Sequence, residues 1–431
     1  MIPVRRLSEL DPAARKAAGT RPAVLTREVI DAVQTILTDV KAHGDSALRA
    51  YAKKFDKIKL EALEVTREEI DAAERKLSQQ EQGALRSAHE NIQRFHKQGV
   101  HRPFEYAPVR GIQLGRRLAP YASAGLHVPG GSSVLPSSVL MTAVPATVAG
   151  VKEVVLCTAP AADGSLPPAV LFAARIAGVH RIFKVGGAPA VAAMAFGTGT
   201  IPRVEIVAGP GDRFVNAAKK AVAADVATDF AAGPTELLVL SDGTAEPRFL
   251  AADMVAQSEH DPLSCVRFVT TSPDQAAAVA RELGDQAKKL PRSETIQKAI
   301  SRNGAILVAD DLPSAIAFVN EFGPGYLVIA CEHPLPVLDQ VRHAGSVFLG
   351  EMSPVAVGDY GVGPNAVVPT LGEARRASGL SANTFLKAVP YTFVTKEGLG
   401  SVAPMSSALA RLESLEGHLA SIEIRRAKHG H

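Results

Sequence analysis

Apolar residues change their spacing along this 431-residue chain. Through the first hundred positions they recur at i, i+3, i+4 and i+7. TREVIDAVQTILTDVKAHGDSALRAYAKKF and TREEIDAAERKLSQQEQGALRSAHENIQRFHKQ show the pattern, which predicts amphipathic helices. Thr26 and Thr66 each precede a Glu within three residues, as helix N-caps do. Beyond about residue 110, short apolar runs alternate with helical stretches. The runs are EVVLCTA (153–159), RIFKVGG (181–187), VEIVAGPG (204–211), TELLVLSD (235–242), CVRFVTT (265–271), AILVAD (305–310) and YLVIAC (326–331). Such alternation predicts an α/β protein of βα units with mainly parallel sheets. So many strands fit two doubly wound sheets better than one, with a break near TELLVLSDG. Past residue 350 the pattern gives way to Gly- and Pro-rich loops and a last helix, and no repeat of fixed period is present.

Composition narrows the function. Hydrophobic residues at 46% and charged residues at 21% describe a folded chain. A net charge of +3 gives no pull toward nucleic acid or an anionic membrane. The absence of Trp argues against a base-stacking platform. Three cysteines cannot build a disulfide framework, and none is at CxxC spacing. The N-terminus has no apolar signal-peptide core, and no window is apolar enough to span a membrane. A soluble cytoplasmic enzyme acting on a small molecule, with no nucleic-acid or membrane partner, is the expectation.

Some segments could carry chemistry. VEIVAGPGDRFVNAAKK is strand, GxG turn and helix, a geometry that can present N–H groups to a phosphate. The dinucleotide fingerprint would want Gly where Phe214 stands, so a tight βα turn is the alternative reading. HVPGGSSVLPSSV is a second glycine loop. MVAQSEHD sets Gln257 and His260 at i, i+3, on one face of a helix end. Asp359 lies in GDYGVGPN, where an Asp commonly makes a turn, and Glu413 and His418 lie on the last helical stretch. Two imidazoles with amide and carboxylate oxygens suit Zn²⁺, although nothing in the spacing joins these segments.

A family resemblance joins them. The chain resembles the histidinol dehydrogenases over nearly its whole length, through GLHVPGGSSVLPSSVLMTAVPATVAGV, KVGGAPAVAAMAFGT, VAGPGDRFVNAAKK, AAGPTELLVLSD, AQSEHD, AGSVFLGEMSPVAVGDYGVGPN, SGLSANTFLK and LEGH. The resemblance implies one Zn²⁺ per subunit, held by Gln257, His260, Asp359 and His418. It implies a homodimer in which His418 and Glu413 reach the partner's site, and a substrate pocket lined by Thr235 and Tyr360. It implies oxidation of L-histidinol to L-histidine in two NAD-dependent hydride transfers. The expected organisation is a first α/β domain from 23–125 and 236–379 carrying Gln257, His260 and Asp359. A second α/β domain is expected over 126–235, with terminal helical and dimerisation segments at 1–22 and 380–431.

The chain departs from the family pattern where the chemistry sits. Gly325 and Tyr326 stand in place of a catalytic Glu-His pair, and Ala366 in place of a pocket His. Glycine does no acid–base work, and a Tyr of ordinary pKa near 10 is a poor base at neutral pH. At the family's dinucleotide positions stand His127, Pro189 and Asp212, and Asp212 brings negative charge to a phosphate turn. NAD binding is therefore expected to be weakened. The leading expectation is a zinc-dependent, NAD-linked oxidation of a small polar alcohol or amino alcohol other than histidinol. The alternatives are zinc-assisted hydrolysis, hydration or elimination on an amino-acid-like molecule, a true histidinol dehydrogenase with drifted residues, or a binding protein without catalysis. His127 and Glu259 are the candidate replacement acid–base groups, with Glu259 better suited to supporting its neighbours.

Overall fold

The structure is a computed structural model and describes residues 2–131 and 133–427. It contains two compact units. One comprises the described residues up to Gly99 together with Tyr121–Phe385, and the other Val100–Pro120 together with the described residues from Leu386 onward. In chain order the strands are β1 (Val4–Arg6), β2 (Phe104–Tyr106), β3 (Ile112–Pro120), β4 (Ser123–His127), β5 (Glu153–Cys157), β6 (Arg181–Phe183) and β7 (Ile206–Ala208). They continue with β8 (Ala227–Thr228), β9 (Glu236–Ser241), β10 (Cys265–Thr270), β11 (Ala305–Val308), β12 (Tyr326–Ala330), β13 (Ser346–Leu349) and β14 (Leu386–Val394).

The first unit holds two all-parallel sheets. One has the order β6-β5-β4-β7-β8, the other β1-β11-β10-β9-β12-β13. Counted from its own first strand, each is 3-2-1-4-5, and β1 extends the second at its edge. A fold-level duplication is thus present without a sequence repeat. Each sheet is doubly wound because its strands are apolar on both faces. Val154 and Leu156 enter one apolar cluster, while Val155 and Cys157 enter another. Leu237 and Val239 likewise alternate with Leu238 and Leu240 in the other sheet. The second unit is an antiparallel β14-β3-β2 sheet with the helices Lys396–Leu412 and Glu416–Ala427.

All seven expected strands are present, and both threonine caps form. Thr66 Oγ1 accepts from Glu69 N at 3.2 Å while the Glu69 carboxylate accepts from Thr66 N at 2.8 Å, a reciprocal capping box. The expected segment boundaries differ from the structure in three places. The helix Arg27–His43 packs Val29, Val33, Ile36, Leu37 and Val40 onto the helices Gly187–Phe196 and Arg213–Ala221 that cover the β6-β5-β4-β7-β8 sheet, not onto the elements around Gln257. Residues 1–22 are not a separate segment, because β1 pairs with β11. Residues 100–120 leave the α/β unit to join β14. Strand β4, central to its sheet, escaped the sequence pattern because SAGLH is not an apolar run. A Cβ on its Gly125 would lie 2.6 Å from Met194 Sδ, so any larger residue there would require the Met194 side chain to move.

One buried ion pair crosses the first unit. Arg21 Nε and Nη2 donate to Glu236 Oε1 and Oε2 at 2.6 and 2.9 Å, and Nη2 also reaches the carbonyls of Phe322 and Gly323. Removing one partner strands a buried charge, at a cost of about 3–5 kcal/mol. Arg15 pairs with Glu321 at 2.8 Å in solvent, where a bridge contributes about 0–1 kcal/mol. Urea denaturation should therefore show Arg21→Ala destabilised by several kcal/mol and Arg15→Ala near wild type.

Candidate active site

Gln257 lies in the last turn of the helix Pro247–Ser258, and its amide meets a carboxylate from a distant turn. Gln257 Nε2 donates to Asp359 Oδ2 at 2.8 Å. Tyr326, the first residue of β12, places its hydroxyl 2.9 Å from Asp359 Oδ1 and 2.6 Å from the carbonyl oxygen of Ala366. Four positions singled out in the sequence are thereby brought together. A phenol carries one proton, and both of its neighbours here are acceptors. Gln257 Oε1 is buried with no hydrogen-bond partner. Flipping the amide would not help, since Oε1 would then face the Asp359 carboxylate. The cluster thus holds more acceptors than donors, an imbalance that a bound cation relieves. The donor set suits a divalent cation on this ground.

Two neighbours sharpen the electrostatics. Burial pushes the Asp253 carboxyl up to about 6, and the nearby negative charge of Asp359 adds to the effect. Burial, then Asp359, also raises the Tyr326 phenol far above its ordinary value, so it stays protonated at neutral pH. Asp253 was missed in the sequence, although Asp253, Gln257 and His260 follow i, i+4, i+7 and share a face. His96 was missed as well. It is buried, its imidazole is pushed down to about 4 by burial, and its Nε2 lies 3.3 Å from Asn365 Nδ2, next to Ala366. No motif marked it.

The remaining expected residues are placed as follows. His260 is exposed just beyond the helix end, and half-buried Glu259 is that helix's C-cap residue. An acid there faces the carbonyl end of the helix, an unfavourable place for negative charge. Thr235 is half-buried and its main-chain carbonyl accepts from Cys265 N at 2.8 Å. Tyr360 is 70% exposed beside Asp359. Glu413 and His418 belong to the helical part of the second unit. Among the described residues, no three His, Cys, Asp or Glu side chains gather where they could hold a metal ion.

A second feature is a cavity of about 760 Å³ at the carboxyl ends of β4 and β7, where the strand order of their sheet reverses. This switch point is where doubly wound sheets bind nucleotides. His127, Pro189 and Asp212 all line it, with Tyr51, Phe55 and Phe214 among the aromatic walls. His127 is fully engaged. Its Nδ1–H donates to the Pro210 carbonyl at 2.8 Å, and its Nε2 accepts from Gly187 N at 3.1 Å. A carbonyl can only accept and an N–H only donate, so one neutral tautomer is fixed. Burial lowers the His127 pKa in the same sense. Both nitrogens being occupied, His127 ties the two strand ends together and has no free lone pair to serve as a base. At Gly209, with φ at +121°, a Cβ would collide with the His127 carbonyl oxygen.

Asp212 caps the helix Arg213–Ala221, its Oδ1 accepting from Phe214 N and Val215 N at 2.9 Å each. These are the N–H groups that a phosphate would use. At the neighbouring helix Gly187–Phe196, the Gly187 N–H is held by His127, and Pro189 has no N–H. The cavity suits a dinucleotide in position and size, but its helix ends offer a pyrophosphate few free donors.

Comparison with known proteins agrees with this architecture. The family described as "Histidinol dehydrogenase" matches residues 20–426. A histidinol dehydrogenase from Synechococcus sp. is 44% identical over 405 residues, covering 94% of this chain and 93% of that protein. One from Methanosarcina mazei is 42% identical over 422 residues, covering 98% of this chain and 97% of that protein. A crystal structure of histidinol dehydrogenase from Elizabethkingia anophelis superposes with a TM-score of 0.94 at 35% identity, covering 99% and 98% of the two chains. On sequence and fold together, the chain belongs to the histidinol dehydrogenase family.

Proposed function

We propose that this protein is a zinc-dependent dehydrogenase that uses NAD to oxidise a small polar alcohol or amino alcohol. The unpartnered, buried Gln257 oxygen beside Asp359 carries this reading. Gln257, His260 and Asp359 would hold the metal, joined by His418 of a second copy. Bound zinc would polarise the substrate oxygen and ease loss of its proton. Donation by a second copy accords with the lack of a three-residue His/Cys/Asp/Glu set among the described residues of this chain. It also gives a use to Met405, Leu409, Leu412 and Ile424, large apolar side chains exposed on the helix that Glu413 caps and on the helix that carries His418. Thr235, Tyr360 and Glu413 would contact substrate.

The acid–base roles differ from those the family resemblance implies. Tyr326 keeps its proton, and His127 is closed within its sheet. Glu259, next to His260, and Asp253, near Asp359 and pushed up to about 6 by burial, are the titratable side chains left near the metal site. A Glu at position 325 would be crowded, since a Cβ there lies 3.2 Å from the Pro369 carbonyl oxygen and 3.3 Å from Thr370 Cγ2 and Val368 Cγ2. These features favour a substrate other than histidinol. The second reading, histidinol oxidation itself, rests on identities of 42–44% to histidinol dehydrogenases over nearly the whole chain.

Protein purified without chelator should contain about one zinc per chain. His260→Ala and His418→Ala chains should each lose zinc, and their heterodimer should regain one intact site. Elemental analysis of verified heterodimer checks this, and metal-free wild type after zinc supplementation contradicts it.

NAD⁺ should bind more tightly to Asp212→Asn, which keeps the cap and removes the charge. A charge at a helix N-terminus is worth about 0.3–1 kcal/mol, or roughly two- to fivefold in affinity. Calorimetry showing equal or weaker binding by the variant contradicts the charge argument.

Loss of a positioned base costs about 10²–10⁴-fold in rate. Zinc-loaded wild type should therefore form histidine from histidinol and NAD⁺ only negligibly. Gly325→Glu with Tyr326→His should not restore full turnover, because position 325 is crowded and the Asp359 anchor is lost. NADH formation with direct detection of histidine decides between the two readings, since substantial wild-type turnover establishes the histidinol reading.

A further inference from the structure

Asp359 needs outside support. It ends a five-residue helical turn, Val355–Asp359, and is followed closely by Gly361 and Gly363, both with positive φ. A carboxylate on so short an element is not oriented by its own backbone. Tyr326 offers the opposite situation. It opens β12, which is paired with β9 on one side and β13 on the other. Its ring is 5% exposed and meets the Phe348 ring edge-on at 6.0 Å. Its hydroxyl spans Asp359 Oδ1 and the Ala366 carbonyl, while Gln257 Nε2 holds Oδ2. Asp359 is thereby contacted at both oxygens, once by a prospective ligand and once by a side chain with no ligand role, whose single proton is shared with the Ala366 carbonyl.

We propose that Tyr326 is a positioning residue for the metal site, its hydroxyl fixing the Asp359 carboxylate so that zinc affinity and coordination geometry depend on it. The proposal rests on the zinc reading above. It gives the position aligned with the family's histidine a different task, orienting a ligand instead of moving a proton. Groups that orient metal-bound side chains typically contribute about 10–100-fold in metal affinity. Histidine is too short to take over the task, because its ring nitrogens end nearer the backbone than a phenol oxygen.

The test is chelator competition for zinc with wild type, Tyr326→Phe and Tyr326→His, each checked for cooperative melting. Tyr326→Phe should bind zinc about 10–100-fold more weakly while keeping the fold. Tyr326→His should be weakened in the same direction, and it serves as the reporter if Tyr326→Phe does not fold. Cobalt(II)-loaded wild type and variant should also differ in visible d–d absorption, a readout that a purely structural role would leave unchanged. Wild-type zinc affinity and an unchanged cobalt spectrum in the variants overturn the proposal while leaving the zinc reading intact. Failure of the wild type itself to take up zinc overturns both.

Discussion

The Glu236 carboxylate, buried at the start of β9, organises everything around the candidate site. Burial raises its pKa, while the Arg21 guanidinium and main-chain N–H groups of Leu371 and Gly325 pull the other way. Each of those partners belongs to a different part of the chain. Arg21 lies before the first long helix, Gly325 immediately precedes Tyr326, and Leu371 follows the segment that contains Ala366. Leu371 is held at a φ of +57°, unfavourable for a residue with a branched side chain, and its N–H lies 2.6 Å from Glu236 Oε1. A single desolvated charge thus ties together the start of β12 and the segment after Ala366, the regions from which Tyr326 and Ala366 meet. Breaking a bond to such a charge costs more than breaking a surface pair, because water cannot replace it.

The two sheets of the first unit share a strand order but use opposite ends. In the β6-β5-β4-β7-β8 sheet, the cavity opens at the carboxyl ends of β4 and β7, as the reversal of winding direction requires. In the other sheet, the Asp359 cluster is built at the amino end, where β12 begins and the helix after β9 finishes. The first location is a crevice left by topology. The second has to be assembled from side chains, and it holds an acceptor excess that a simple packed core would not tolerate. His127 and Asp212 each engage main-chain donors at the crevice in internal hydrogen bonds.

Much of the candidate site was legible because its residue types are uncommon in their settings. Gln257 and His260 at helical spacing, and an Asp among glycines, could be marked from the sequence. Family resemblance, rather than spacing, joined them. Asp253 could have been added from the same helical period. His96 could not, because a histidine inside an amphipathic helix reads as an ordinary polar position until the helix packs. The Gly325-Tyr326 pair was visible in one dimension, but its meaning was not. Tyr326 looks like a poor base in sequence, and in the fold it is a hydroxyl shared between a carboxylate and a carbonyl.

Sequence alone determined the α/β class, the two parallel sheets and the alternation of strand and helix, because these follow from local periodicity and from apolar runs buried on both faces. It also determined the helix starts at Thr26 and Thr66, since capping acts within four residues. Tertiary structure decided which helices cover which sheet, that Gly125 of β4 packs closely on Met194, and that β1 and the 100–120 segment join distant strands. It alone decided the roles of His127, Asp212 and Tyr326. The Asp212 cap is local, and only its place at the cavity is tertiary. The roles of His127 and Tyr326 depend on which acceptors and donors come within 3 Å across more than thirty positions of chain, and hydrogen bonding at that range has no periodicity to read.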